Sequence, residues 1–298
     1  MPELPEVETV RRGLAPYFEG SIITRVEQRR PDLRFPFPED FVGRLTGIRM
    51  TSLGRRAKYL AGDLESGDVL VMHLGMSGSF RIELTGSGTP LVDTYYPASK
   101  LPQHDHVVFH LVNPDAALES RIIYNDPRRF GFMDLIPRVD LHAHKLFAGM
   151  GIEPLGNELD GEYLRTLFEG KKTSLKAALL NQKFIAGLGN IYVCEALWRA
   201  GLNPKAPASS ICGRGPKQKE KRVLLATAIR DVLQEAIEAG GSSLRDHVQT
   251  NGSLGYFQHR FAVYDQEGAP CRKSDCSGTI LREVQNGRST FFCSSCQG

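Results

Sequence analysis

The chain has 298 residues, 37 basic and 34 acidic side chains and a net charge of +3, so it is long enough for two domains and a self-sufficient core. With 41% hydrophobic and 24% charged residues, the composition excludes disordered and collagen-like chains. No uncharged apolar run reaches the roughly 18 residues of a membrane span, and the acidic, proline-containing start does not read as a secretory signal. The expectation is a soluble, cytoplasmic monomer.

The elements follow in chain order. A first helix is expected over residues 6–14, with Pro5 tolerated in its first turn. Short strands are expected at 21–29, 58–64, 68–74, 79–84, 106–112 and 121–125. Each is rich in β-branched and aromatic residues and bounded by turn formers. This half reads as a β-sandwich. The composition shifts between residues 136 and 154, and the apolar period then becomes helical. Leu175, Ala178 and Leu179 mark one helix, 191–200 a second, and 217–239 a long one stopped by Gly240 and Gly241. Between the first two helices, Gly187-Leu188-Gly189-Asn190 makes a tight turn, giving helix, turn, helix. A serine- and glycine-containing loop covers 242–255, and the tail from 261 reads as a small β module. The resulting α+β plan has domains at 1–136, 154–260 and 261–298, with a linker at 137–153.

Six cysteines are present, four of them in the pattern Cys271-x4-Cys276-x16-Cys293-x2-Cys296. Two close thiolate pairs suit a tetrahedral zinc, and the interval allows a hairpin between them. Four protein ligands leave no position for water, so one structural zinc is expected. Cys194 reads as a small core residue. Arg282 and Arg288 beside Phe291 and Phe292 fit either a nucleic-acid finger or solvated arginines over a small core.

Pro2 admits two readings. Removal of Met1 would free a secondary α-amine, whose pKa of about 7.7–8.0 lies well below the lysine value of about 10.4. Such an amine can attack a sugar C1′ to form a Schiff base, with Glu3 supplying a proton. Equally, Pro2 and Pro5 stiffen the approach to a helix whose first turn favours Glu3, Glu6 and Glu8 electrostatically.

Six blocks carry a family resemblance: Pro2-Glu3-Leu4-Pro5-Glu6-Val7-Glu8-Thr9, Gly54-Arg55-Arg56-Ala57-Lys58-Tyr59-Leu60, His73-Leu74-Gly75-Met76-Ser77-Gly78, Asp126-Pro127-Arg128-Arg129-Phe130-Gly131, Gly187-Leu188-Gly189-Asn190-Ile191-Tyr192 and Gly287-Arg288-Ser289-Thr290-Phe291-Phe292-Cys293. In this order they resemble the bacterial formamidopyrimidine-DNA glycosylases over essentially the whole chain. The resemblance implies a β-sandwich with a flanking helix, a helix–two-turn–helix domain and a β-hairpin zinc finger. It implies base excision repair of double-stranded DNA containing oxidised purines, by a bifunctional glycosylase and apurinic/apyrimidinic lyase.

The same resemblance assigns residues. Pro2 is similar to the nucleophile and Glu3 to the proton donor. Lys58 resembles the group assisting β-elimination, although the basic cluster Arg55-Arg56-Lys58 equally reads as a phosphate grip. Arg288 resembles the finger arginine that binds phosphate and assists δ-elimination. Met76, Arg128 and Phe130 resemble the residues that fill the void left by a flipped nucleotide. Asn190, Lys171, Lys176, His73 and His104 resemble further DNA contacts, and the 242–255 loop with Arg245 resembles a segment closing over the extruded base. The family usually spaces its first cysteine pair x2, so the x4 knuckle is a departure. Three alternatives stay open: an endonuclease VIII-like enzyme for oxidised pyrimidines, a non-catalytic damage-binding protein, and a zinc protein that binds another protein.

Overall fold

The computed structural model describes residues 2–84, 101–242 and 256–298. It separates into two compact units, Met1–Ala148 with Ala239–Tyr256, and Gly149–Glu238 with Phe257–Gly298. Among the described residues, no helix is long and apolar enough to cross a membrane.

The first unit opens with α1 (Leu4–Phe18). It continues through β1 (Ile22–Gln28), the short α2 (Phe41–Leu45), β2 (Met50–Arg56), β3 (Tyr59–Leu64), β4 (Asp68–His73) and β5 (Ser79–Leu84). It ends with β6 (Asp105–Asn113), β7 (Leu118–Asn125) and β8 (Phe132–Pro137). The strands form two four-stranded sheets, ordered β1-β6-β7-β5 and β2-β3-β4-β8. In β3 burial alternates, with Leu60, Gly62 and Leu64 inward, whereas β4 buries Val69, Leu70, Val71 and Met72 in succession. Those inward faces meet in one core that joins Ile23, Phe109 and Ile122 of the first sheet to Leu53, Leu60 and Met72 of the second. Val7, Val10, Leu14 and Phe18 add the apolar stripe of α1 to the same core. The expected sandwich with its flanking helix is present.

The sequence does not reveal α2, β2 or β8, and it gives α1 too short. α1 extends beyond residues 6–14 at both ends, with Pro16 inside its last turn. β2 was hidden because Thr51, Ser52, Gly54, Arg55 and Arg56 dilute its buried Met50 and Leu53. β8 is an apolar run that lies where the composition shift begins.

The second unit contains α3 (Gly161–Phe168), α4 (Leu175–Leu179), α5 (Asn190–Arg199) and α6 (Pro216–Glu238), then the hairpin β9 (Ile280–Gln285) and β10 (Arg288–Cys293). The sequence reading omitted α3, although its start carries a legible signal: the Asp160 side chain accepts from Tyr163 N at 2.7 Å, a standard N-cap. Along α6, Leu225, Ile229, Val232, Ala236 and Ile237 are buried, the face read from the 3.6-residue period. Asn286 and Gly287 have φ of 50° and 72°. They close the hairpin as Gln285 pairs with Arg288, the backbone that an Asn-Gly turn favours.

Candidate active site and metal centre

The start of α1 is built around two acids. Pro2 is buried in extended chain ahead of the helix. Glu3 is the N-cap, 4% exposed. Glu6 Oε2 accepts the Glu3 N–H at 2.9 Å, and the two form a capping box. Glu6 Oε1 accepts from both Ser242 N at 2.8 Å and Ser242 Oγ at 2.9 Å. Gly241 makes this approach possible: a Cβ there would lie 3.3 Å from the Glu6 side chain, and its φ is +80°. Glu6 therefore fixes both the backbone that carries Glu3 and the residue where the expected capping loop begins. The rest of that loop, including Arg245, lies outside the described residues, as does Met1.

Lys58 sits at the tip of the β2–β3 hairpin. Arg56 pairs with Tyr59, leaving Ala57 and Lys58 as the loop, with Ala57 at φ 52°. Lys58 is buried at 7% exposure. The neighbouring Arg55 donates from Nε to Glu8 Oε2 at 3.2 Å and from a guanidinium nitrogen to Ala57 O at 2.8 Å. Arg55 thus braces the hairpin from within, whereas the sequence grouped it with a phosphate grip. Burial opposes ionisation of Glu8, but Arg11, Arg12 and Arg55 hold its pKa below the ordinary value.

His73, at the end of β4, stacks on Phe132 with ring centres 5.3 Å apart and 19° between planes. Burial pushes its pKa down to about 4, helped by the charges of Lys58 and Arg34. Its Nδ1 accepts from Gly75 N at 3.1 Å, so the neutral ring carries its proton on Nε2. His73 can offer a phosphate a neutral N–H donor.

The next loop holds Met76, half-buried, and the turn after β7 holds Arg128 and Phe130, both exposed. The Arg128 guanidinium carbon lies 4.7 Å from the Phe130 ring centre, within cation–π range. A Cβ on Gly75 would come within 2.3 Å of the Phe130 carbonyl carbon, so the two loops touch backbone to backbone. The three residue types that the sequence grouped are on adjoining loops. His104 is half-buried at the end of a short 3-10 turn, and its carbonyl accepts from Asp126 N at 3.0 Å.

In the second unit, Asn190 is the first residue of α5 behind Gly189, which provides no side-chain cap. The dipole at a helix N-terminus favours anions. Gln182 shapes the preceding turn, accepting from Gly187 N at 2.9 Å and donating to Leu188 O at 2.8 Å. Lys171 has its ammonium 4.9 Å from the Phe184 ring centre.

Lys176 departs from expectation. It is 1% exposed, and its Nζ donates to Ser289 O at 2.9 Å and Thr290 Oγ1 at 2.7 Å. Asn190 Nδ2 donates to the same Ser289 carbonyl at 2.8 Å. A buried ammonium with these partners braces the finger hairpin. Arg288, the residue just before Ser289, is exposed and forms no ion pair among the described residues. The brace holds the base of the arginine while its head stays accessible.

The Sγ atoms of Cys271, Cys276, Cys293 and Cys296 all lie within 4.8 Å of one another. Two of the separations are 3.8 Å, Cys271 to Cys296, and 3.6 Å, Cys276 to Cys293. A tetrahedron with Zn–S bonds of about 2.3 Å has S–S edges of about 3.8 Å, so the donor set fits zinc in size and chemistry. Trp198 Nε1 donates to Cys271 Sγ at 3.3 Å and Gly278 N to Cys276 Sγ at 3.4 Å. Such outer bonds orient thiolate ligands. The longer first knuckle is taken up by its own turn, with Cys276 N on Lys273 O at 3.1 Å and Cys271 N on Gly278 O at 2.8 Å. Cys194 packs with Val263, Ile280 and Phe291 as a core residue.

Comparison with known proteins gives a consistent result. Residues 1–133 match a family model described as the formamidopyrimidine-DNA glycosylase N-terminal domain. Residues 150–248 match the H2TH domain of the same family, and 268–298 a zinc finger found in FPG and IleRS. The chain is 62% identical over 297 residues to a formamidopyrimidine-DNA glycosylase from Chelativorans sp. (strain BNC1), covering all of both chains. It is also 62% identical to one from Beijerinckia indica, again with full coverage. Among solved structures, a Lactococcus lactis FPG mutant in complex with a Fapy-dG containing DNA matches with TM-score 0.82, 32% identity and 99% of each chain covered. The MutM (FPG) protein from Thermus thermophilus matches with TM-score 0.79, 37% identity, and 100% of this chain and 99% of that one covered.

Proposed function

The chain belongs to the formamidopyrimidine-DNA glycosylase family, and on that footing we propose that it is a bifunctional DNA glycosylase and apurinic/apyrimidinic lyase that removes oxidised purines, such as 8-oxoguanine and formamidopyrimidines, from duplex DNA. The observation that carries this reading is the construction at Pro2. A potential secondary amine precedes a buried glutamate whose backbone is fixed by a second glutamate.

The chemistry assigns each group a task. With Met1 removed, the Pro2 nitrogen attacks C1′ as the glycosidic C–N bond breaks and its electrons leave with the base. Ring opening then converts the adduct to an iminium, and Glu3 delivers the proton that the departing ring oxygen takes up. Lys58 assists proton removal at C2′ for β-elimination. Arg288 neutralises phosphate charge and assists the second elimination, leaving a one-nucleotide gap. The target nucleotide must first leave the stack. Met76 and Phe130 fill the space with apolar bulk, while Arg128, which has donors only, pairs with the acceptor edge of the orphaned cytosine. Asn190, Lys171, His73 and His104 hold phosphates, and Lys176 holds the finger hairpin for Arg288. Residues 1–136 carry the chemistry, 137–153 link, and 154–260 with the finger 261–298 supply the grip. Zinc, when bound, supplies a folded finger, and the reacting nucleophile is an amine.

The test compares duplexes carrying one 8-oxoguanine opposite cytosine or one oxidised pyrimidine. Faster excision from the purine duplex supports the assignment. The opposite preference would move the enzyme to the endonuclease VIII type, and binding without excision would leave only a damage-binding role.

A further inference from the structure

Asp126 has no task in the reaction above, yet among the described residues of the first unit it is the most enclosed carboxylate, at 0% exposure. It forms no salt bridge among the described residues. Its charge is met by four donors instead. Oδ1 accepts from Ser77 Oγ at 2.5 Å and from Arg128 N at 3.2 Å. Oδ2 accepts from Gly131 N at 2.8 Å and from Tyr124 Oη at 3.2 Å. The Asp126 carbonyl is paired with His106 Nε2 at 2.9 Å.

These partners are distributed to a purpose. Arg128 N and Gly131 N begin and follow the stretch that carries Arg128 and Phe130. Ser77 follows Met76, and its Oγ also accepts from Arg128 N at 3.3 Å. One carboxylate and one hydroxyl thus join both loops. The Tyr124 hydroxyl fills the remaining space: a Cβ on Gly131 would lie 1.8 Å from it, and a Cβ on Gly78 2.5 Å. Arg129 is held at φ 54°, a backbone that an L-residue adopts only when its surroundings impose it.

We propose that Asp126 is a positioning residue for base extrusion and opposite-base reading: its buried carboxylate locks the Met76 loop and the Arg128–Phe130 turn into one wedge. The inference rests on the glycosylase reading above, since it concerns the step that opens the stack. An abasic sugar has no base to unstack, so the wedge should matter far less there.

The experiment uses full-length, zinc-loaded wild type and Asp126→Asn. Asn keeps the shape but puts an N–H₂ group against at least one donor pair. Single-turnover base release is measured on an 8-oxoguanine·cytosine duplex, and strand cleavage on a preformed abasic site opposite cytosine. A misplacement of about 1 Å can cost about 100-fold, so base release should fall roughly 10- to 100-fold while abasic cleavage stays near wild type. The preference for cytosine over adenine opposite the lesion should shrink in parallel. Ser77→Ala, which removes one donor and keeps the carboxylate, should show the same split with a smaller loss. It carries the comparison if Asp126→Asn does not fold. Equal losses on both substrates, or none on either, would overturn the assignment. Wild-type protein inert on both duplexes would sink the glycosylase reading itself, and this inference with it.

Discussion

His73 gives a pH dependence whose sign and size follow from its surroundings. Its pKa in the folded protein is about 4, against roughly 6.5 for an unfolded histidine. The folded state therefore binds fewer protons than the unfolded state between these values. The histidine's contribution to stability is fully present above about pH 6.5 and is lost as pH falls toward 4. Integrated from pH 7 to pH 5, the loss is about 2 kcal/mol at 1.36 kcal/mol per pKa unit. His73→Asn removes this titration, and its Oδ1 can accept the Gly75 N–H in place of Nδ1. Urea unfolding followed by far-UV circular dichroism at pH 7 and pH 5 measures the difference. The wild-type midpoint should drop about 1 M further than the variant's for slopes of about 2 kcal/mol per M. Parallel pH dependence in the two proteins would refute the buried, neutral imidazole.

Three further outcomes are expected. Glu3→Gln should slow base excision by roughly 10²–10⁴-fold, the usual worth of a positioned proton donor, and full activity in a single-turnover assay would remove Glu3 from the mechanism. Cys293→Ser should release zinc and unfold the hairpin, because metal binding and folding are coupled; zinc content and DNA affinity are the readouts, and unchanged affinity without zinc would contradict the finger's role. Arg222 is 2% exposed and donates to the carbonyls of Gly161, Ile211 and Gly213 at 2.9, 2.8 and 2.8 Å. Arg222→Met should cost at least about 3 kcal/mol, since it strips donors from three carbonyls at about 1–3 kcal/mol for each left unsatisfied. The single tryptophan, Trp198, lies in the same unit and reports its unfolding; an unchanged midpoint would show that water replaces the guanidinium freely.

What was legible in the sequence was what depends on local pattern. The zinc ligands could be read because their spacing is itself the chemistry, and the folded chain brings the four sulfurs within 4.8 Å of one another. The long helix could be read because its apolar period runs over 23 residues. β2 could not, because its outward positions are polar and basic. The role of Lys176 escaped for a different reason: nothing local says whether a lysine head is buried, and its carbonyl partner lies 113 residues away. Glu6 and Asp126 escaped likewise, since Ser242 is 236 residues from Glu6 and Ser77 is 49 from Asp126. Pro2 stood between these cases. Its residue type allowed a nucleophile or a stiffened helix start, and the joint resemblance of six blocks separated the two.

Borohydride trapping on a duplex with a single 8-oxoguanine opposite cytosine tests the central claim most directly, using protein checked by mass for loss of Met1. A Schiff base between Pro2 and the sugar would be reduced to a stable adduct. The expected result is a covalent complex that is absent with undamaged duplex and maps to Pro2. No adduct from Met1-free, zinc-loaded protein, or an adduct mapping to Lys58, would contradict the assignment of Pro2 as nucleophile.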